Sequence, residues 1–142
     1  MASSWYSTGI KAFLDGDVDL LADTIKAVLI DAADYIVNLT TDDFLADVVA
    51  GARATNGTGT LASKTTAIAT NVITFDVADT VLTSVSGAGG PEPHEAVVVY
   101  KDSGVEATSQ LLLYLELTAP VTPNGGNITL AWHSSGLGTI TR

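Results

Sequence analysis

The chain has 142 residues, six Lys and Arg against sixteen Asp and Glu, no cysteine, and a formal charge of −10. This length predicts one domain able to bury a core, and the absence of cysteine excludes disulfides and thiolate metal sites. Because the acidic surface repels phosphate groups, nucleic acids and anionic membranes are not expected as partners.

Charged residues are scarce, at 15% of the chain, whereas hydrophobic residues make up 46%. Average proteins carry about 25% charged residues. The shortfall predicts that other chains cover part of the surface. Residues 1–6 lack the basic and apolar regions of a signal peptide, and no run approaches the roughly 18 apolar residues that cross a bilayer.

The N-terminal residues combine aromatic side chains with a short apolar run. Residues 1–9 are predicted as an arm before a single domain of residues 10–142, which opens with a strand at 10–14. Aromatic residues at a chain end can anchor a partner. Deleting the arm should therefore weaken binding of the protein to its partner but leave the domain folded. The candidate interface residues are Trp5, Tyr6, Ile10 and Phe13.

The segment 18–37 fits two structures. Six apolar residues have helical spacing, which slightly favours a helix: Leu21, Ile25, Val28, Leu29, Ala32 and Ile36. The run 24–30 also fits a strand closed by an acidic turn. The following stretch, 40–49, is predicted as a short helix with Thr40 or Thr41 as its N-cap and early Asp residues at the positive end of its dipole.

From residue 60 onward, short apolar runs alternate with Gly, Pro and Asn turns. The predicted strands are 60–67, 71–75, 81–85, 96–100, 111–117, 128–132 and 138–141. This spacing is typical of an all-β sandwich, here of about eight strands with one short helix. The runs 96–100 and 111–117 are apolar at consecutive positions. We therefore expect both of their faces to be covered, inside a sandwich or under another subunit.

An acidic run, Asp15, Asp17 and Asp19, invites a calcium interpretation. An EF-hand loop requires Gly at its sixth position and Glu at its twelfth, where this chain has Leu20 and Lys26. The pattern favours a solvated acidic turn, with an ion site that uses backbone oxygens as the weaker alternative.

Other chemically suggestive residues have simpler interpretations. The two histidines, His94 and His133, lack a nucleophile motif and a set of zinc ligands, so both are predicted to face solvent or a partner. The acids at 42, 43 and 47 favour helix capping over paired carboxylates, and the glycines at 87–90 favour a flexible loop. No catalytic residue, metal ligand or cofactor is predicted, and an enzyme is the least favoured class.

Several short motifs occur in a characteristic order: residues 13–16, 23–31, 34–35, 41–47, 61–65, 74–80, 99–104, 123–128 and Trp132. In this order they resemble a group of small virion proteins of tailed bacteriophages, which includes capsid decoration proteins. The resemblance covers most of the chain. It implies a β-sandwich without catalytic residues, and it makes 24–30 a strand instead of a helix.

The resemblance also implies a function. The expected role is a capsid decoration (cement) protein that binds the outside of the head shell and bridges major capsid protein subunits. Such a protein would be assembled in the cytoplasm of the host bacterium and would act as a homo-oligomer, for which a trimer is one arrangement. The alternatives are a tail, collar or fibre component, and a carbohydrate-binding β-sandwich module with aromatic residues exposed on one face.

Overall fold

The structure is a computed structural model that describes residues 2–141. Within them the chain forms ten strands, one α-helix and three short 3₁₀ turns, which confirms the predicted all-β fold with a short helix. None of the helices in this range is long and apolar enough to cross a membrane.

The elements follow one another along the chain with short connections. The strands are β1 (Ala2–Trp5), β2 (Ile25–Ile30), β3 (Arg53–Thr60), β4 (Thr65–Ala69), β5 (Val72–Asp76), β6 (Thr80–Leu82), β7 (His94–Lys101), β8 (Leu111–Val121), β9 (Ile128–Leu130) and β10 (Gly138–Thr141). The helix α1 spans Ser7–Asp15, and the 3₁₀ turns span Leu45–Asp47, Ala50–Ala52 and Glu106–Thr108.

The main sheet has five antiparallel strands in the order β1-β8-β7-β2-β3. A three-stranded sheet, β10-β5-β4, and a two-stranded sheet, β6-β9, pack on one of its faces. The hairpin β7–β8 lies at the centre of the main sheet, as its consecutive apolar residues predicted.

Both faces of the central hairpin are buried by other parts of the chain. Val97 and Val99 of β7 pack towards the two smaller sheets, whereas Val98 and Tyr100 pack against the irregular segment 31–52. Because strand residues alternate between faces, a strand covered on both sides is apolar throughout. The prediction of double coverage is confirmed, and the cover belongs to the same chain.

A bulge in β8 adjusts this alternation. Val99 pairs with Leu113 and the next residue, Tyr100, pairs with Leu111, so Leu112 is an extra residue in the ladder. A bulge of this kind bends the strand locally. As a result, Leu112 and Leu113 both join the core between the sheets.

The predicted opening strand at 10–14 is wrong, because these residues lie in α1. Gly9 lies so close to β8 that an added Cβ would meet the carbonyl oxygen of Leu111 at 2.5 Å. This close contact allows the helix to pack directly on β8. Gly16, at φ 80°, ends the helix by donating its N–H to the carbonyl of Phe13.

The predicted helix at 40–49 is also wrong in its extent and its cap. The structure has only the 3₁₀ turn Leu45–Asp47 there. Neither threonine is an N-cap, because the turn begins after Phe44; the backbone N–H groups of Thr40 and Thr41 donate to the Asn38 side chain. The Asp47 carboxylate instead caps the turn, since it accepts hydrogen bonds from the N–H groups of Asp43 and Phe44 at 3.0 Å.

Two further strands differ from the expectation based on residue spacing. The strand at 24–30 that the resemblance implied is confirmed as β2, between β7 and β3, and the helical interpretation of 18–37 from residue spacing is wrong there. Every residue of β2 except Lys26 is buried, and a run apolar on both faces imitates helical spacing. The small, polar stretch Arg53–Thr60, for most of which no strand was predicted, forms β3, and its pairing with β2 is interrupted by a register shift.

The predicted N-terminal arm is part of the domain in the structure. Ala2–Trp5 pair with β8 as an edge strand of the main sheet. Tyr6 follows directly and is completely buried. We therefore expect deletion of residues 1–9 to destabilise the domain, in contrast to the sequence-based expectation.

Candidate interaction surface

Trp5 and Phe13 form an aromatic pair at the edge of the sandwich. Their ring centroids are 5.4 Å apart and their planes make an angle of 81°, which is an edge-to-face contact. The Trp5 indole N–H donates to the carbonyl of Thr139 at 2.8 Å. This bond connects β1 in the main sheet to β10 in the three-stranded sheet.

An open apolar cleft adjoins this pair, and two neighbouring cavities of about 330 and 150 Å³ form it. Ile73 and Ile140 line both cavities. Ile68 lines the larger one, and Trp5 and Phe13 line the smaller one. We call this surface the apolar cleft.

Three isoleucines form a row along the cleft. Ile68 in β4 pairs with Ile73 in β5, which pairs with Ile140 in β10. The three residues are 77%, 45% and 40% exposed, respectively. Phe75, two residues along β5 on the same face, is buried in the core. The row is therefore an uncovered continuation of the inner face of the sandwich.

Glycine 138 makes room for the tryptophan beside the cleft. A Cβ at this position would lie 2.9 Å from the Trp5 ring and equally close to a methyl group of Leu113. Real Cβ atoms are rarely that close to a neighbour, so a larger residue would displace Trp5. The position of Trp5 in the cleft thus depends on Gly138, a role that the sequence alone did not predict.

The described lining residues of the cleft carry no ionisable side chain, and their polar side-chain groups come from threonines, Asn71 and the Trp5 indole N–H. General acid–base chemistry requires titratable groups within reach of a substrate. An apolar surface with a few hydroxyl groups is instead suited to burying apolar side chains of a partner.

The predicted interface residues divide into three groups. Trp5 and Phe13 line the cleft. Ile10 is 38% exposed on α1 and lines neither cavity. Tyr6 has no exposed surface, so its assignment to a partner interface is wrong for the isolated chain.

The isoleucine row was missed by sequence reasoning. A signal was present, because Ile68 and Ile73 are placed symmetrically about the turn at Thr70 and Asn71, so a hairpin there must pair them. Their exposure could not be predicted in the same way, since it depends on how far the main sheet extends beneath them.

Tyr6 belongs to a buried hydrogen-bonded chain on the opposite face of the main sheet. Tyr35 donates its hydroxyl proton to the Asp42 carboxylate at 2.6 Å, so Tyr6 must donate to the Tyr35 oxygen, at 3.0 Å. The N–H of Asn38 also donates to this carboxylate, at 2.8 Å. Burial raises the pKa of Tyr6 and Tyr35 well above the usual range. These hydrogen bonds from Tyr6 through Tyr35 to Asp42 hold the segment 31–52 against the main sheet.

The three acidic residues Asp15, Asp17 and Asp19 have separate environments in the structure. Asp15 pairs with Lys11, and Asp19 accepts the backbone N–H groups of Leu21 and Ala22 in a turn. Asp17 is exposed. This geometry fits the acidic-turn interpretation.

Two clusters of carboxylate side chains are more compact than the acidic run at residues 15–19. Oxygens of Asp31, Asp34 and Glu92 lie within 4.8 Å of one another, and Asp31 also accepts the N–H of Ala33. In the other group, backbone N–H groups hold the pKa of Asp47 below its usual range, whereas burial and the neighbouring Asp47 raise the pKa of Asp43. Both groups lie at turns of the chain, and the second is part of the 3₁₀ cap.

The two histidines have different environments. His94 is 2% exposed, and its Nδ1–H donates to the carbonyl of Glu92 at 3.0 Å, so the prediction that it faces solvent or a partner is wrong. His133 is exposed, and its Nδ1 accepts the N–H of Ser135 at 3.0 Å. Trp132 is buried, and its indole N–H donates to Thr80.

Comparison with models of known protein families, with curated proteins and with solved structures gave no match.

Proposed function

We propose that this protein is a structural component of a tailed-bacteriophage virion, a decoration (cement) protein that binds the outside of the head shell and bridges major capsid protein subunits. The order of sequence motifs suggests the class of particle. The observation that carries the proposal is the apolar cleft, because a row of exposed isoleucines beside an aromatic pair needs a protein neighbour to cover it.

The cleft provides the attraction in this role. Burying an isoleucine side chain completely contributes about 1.5–3 kcal/mol, and the three isoleucines of the row are only partly buried in the isolated chain. A single copy gains a modest binding energy, but the symmetry of a shell repeats the contact many times. A copy that prefers the mature, expanded shell stabilises that state by mass action.

The acidic surface complements this attachment. The formal charge of −10 is carried outside the lining of the cleft, whose described residues are uncharged. A strongly charged outer surface keeps large particles soluble and apart, while the uncharged cleft avoids the cost of burying unpaired charges against the shell.

A tail, collar or fibre component would use the same surface, and copy number separates it from a head protein. The carbohydrate-binding alternative is less favoured, since Trp132 is buried and the Trp5 indole N–H already has a partner in the chain.

Quantitative mass spectrometry and antibody labelling of purified virus particles test the location. We expect on the order of hundreds of copies per particle, all on the head, because a shell contact is repeated by symmetry. About twelve copies or fewer, at a vertex or on the tail, would favour the alternative. Absence from purified particles would contradict a virion role.

A matched pair of variants tests the cleft itself. Ile140→Asp puts a charge at the shared boundary of the two cavities, whereas Val105→Asp puts the same charge on another exposed hydrophobic residue outside the cleft lining. On expanded shells stripped of this protein, the first variant should bind at least about tenfold more weakly, a loss of roughly 1.4 kcal/mol or more. Equal binding of the two variants would exclude the cleft as the contact.

A further inference from the structure

The strand β4 is an unprotected sheet edge. All five of its residues are exposed, and within residues 2–141 it pairs only with β5. Natural edge strands are usually blocked by charges, prolines or bulges. Thr65–Ala69 contains neither a charged residue nor a proline, and its pairing with β5 continues without a register shift.

The hairpin register determines which backbone groups face outwards. The turn at residues 70–71 is closed by the pair Ala69 and Val72, which is the hydrogen-bonded pair next to a two-residue turn. Pairs then alternate along the hairpin, so Thr66 and Ile68 direct their N–H and C=O groups away from β5. The carbonyl of Phe75, opposite Thr66, accepts from Leu137 on the other side of β5, as this alternation requires.

We propose that this edge pairs antiparallel with β4 of a second copy of the chain, about a two-fold axis at Ala67. In this register Thr66 of each copy lies opposite Ile68 of the other. All four outward groups of each strand are then used, in four hydrogen bonds across the axis. This inference goes beyond the proposed function, because it concerns the purified protein and requires no virus particle.

The side chains suit a second copy. Ala67 faces its own counterpart in the closely spaced, non-hydrogen-bonded position, where its small side chain fits. Ile68 lies opposite Thr66 of the other strand on the same face, so the Thr66 methyl group of the second copy extends the isoleucine row. In this acidic protein, the strand and the two residues after it carry no charge, so no like charges lie opposite one another.

The size of the contact sets its strength. Five residues from each copy are far fewer than the roughly 20–30 per partner in a stable interface. The dimer is therefore weak in solution. Because each copy carries a net charge of −10, repulsion opposes association and salt strengthens it by screening.

Single cysteines test the register, since the chain has none of its own. In Ala67→Cys, the two Cα atoms lie about 4.5 Å apart across the axis, within the span of a disulfide. In the control Ala69→Cys, the equivalent atoms are about 14 Å apart, because they lie on neighbouring strands and are offset by four residues. We expect Ala67→Cys to form disulfide-linked dimers at least about tenfold faster under mild oxidation. Equal rates would overturn the proposed register.

A second pair of variants tests the hydrogen bonds. Thr66→Pro removes an outward N–H while keeping the bonds to β5, whereas Thr66→Val keeps that N–H. Sedimentation equilibrium of the wild type should show a monomer–dimer equilibrium that shifts towards dimer with added salt. Thr66→Val should retain it and Thr66→Pro should be monomeric, with unfolding curves used to confirm that each variant is folded.

Other outcomes of the sedimentation experiment contradict the proposal. A wild-type chain that stays monomeric at the highest soluble concentration would assign the edge to a different partner, such as a strand of the capsid protein. A dimer that salt dissociates, or that Thr66→Pro leaves intact, would place the contact elsewhere. If Thr66→Pro does not fold, Ile68→Lys against Ile36→Lys decides the question, because both isoleucines are exposed and the charge change is the same.

Discussion

The hairpins β7–β8 and β4–β5 are made of similar residues and have opposite environments. Both consist largely of residues found in strands: β7–β8 is rich in Val, Leu and Tyr, and β4–β5 is rich in Thr, Ile and Val. From Ala96 to Tyr100 every residue of β7 is buried, whereas every residue of β4 is exposed. The difference arises from the segments that cover each hairpin, since the residues of the two hairpins have similar strand propensities.

This contrast separates stability from binding. The segment 31–52 and two small sheets cover the faces of β7–β8, so those faces contribute to folding and are not available to a partner. The β4–β5 hairpin keeps part of its apolar surface and one backbone edge for other molecules. We expect the first hairpin to open only with global unfolding, and the second to be among the least protected strands.

The largest expected effect compares one leucine with one isoleucine. Leu113 in β8 is completely buried, so Leu113→Ala should reduce the free energy of unfolding by about 2–5 kcal/mol. Ile68→Ala in β4 should change it by no more than about 0.5 kcal/mol, as is usual at the surface. Urea denaturation of both variants measures the difference. Similar losses would show that β4 is covered in the folded chain.

The next largest effect on stability concerns the hydrogen bonds of Tyr6 and Tyr35, which hold segment 31–52 over β7–β8. Tyr35→Phe removes the acceptor of the buried Tyr6 hydroxyl and the donor to Asp42, so we expect a loss of about 1–3 kcal/mol in the free energy of unfolding. Tyr6→Phe leaves the bond from Tyr35 to Asp42 in place and should cost less. Denaturant unfolding of the two variants should rank them in this order, and the reverse ranking would contradict the donor assignment.

Alkaline pH tests the same cover without a mutation. Burial raises the pKa of Tyr6 and Tyr35, and that of Tyr100 to about 12. Tyrosines of the unfolded chain ionise near pH 10. The contribution of the buried tyrosines to the free energy of unfolding is therefore complete below that pH. It declines as the pH rises further, because the unfolded state loses its protons first. Denaturant unfolding between about pH 8 and pH 11 should show this decline, and Tyr35→Phe should reduce its slope.

The smallest effect concerns the exposed hairpin. Thr70 has φ 55°, a left-handed conformation that is unfavourable for a β-branched residue. Thr70→Gly should relieve this strain and raise the free energy of unfolding by up to about 1 kcal/mol. The control Thr66→Gly, within β4, should not stabilise the protein. Thermal unfolding of both variants checks the difference, and equal shifts would argue against strain at the turn.

Residue patterns predicted the central hairpin and most strands after residue 70, because alternating and continuous apolar runs between turns are local signals. They failed at 10–14, where a short segment with four apolar residues and one lysine is compatible with a helix or a strand. The contact between Gly9 and Leu111 belongs to the helical packing, and it joins residues about a hundred positions apart. They also failed at β3, whose small polar residues form a strand because β2 offers them an edge.

The candidate site was predicted only in part. Trp5 and Phe13 were selected for their chemistry and do line the cleft, whereas Tyr6 has the same chemistry and is buried. Adjacent residues on a strand face opposite sides, so which of the two aromatic residues meets the cleft depends on the register of β1 with β8. That register was not visible in the sequence.

The sequence by itself determined the all-β character of this protein, its central hairpin and its uncharged apolar stretches, because these follow from residue type and local spacing. The tertiary structure alone decided which apolar hairpin is buried and which remains open. Burial depends on where distant segments fold: the two smaller sheets and segment 31–52 cover β7–β8, whereas the row from Ile68 to Ile140 is left exposed beyond the main sheet.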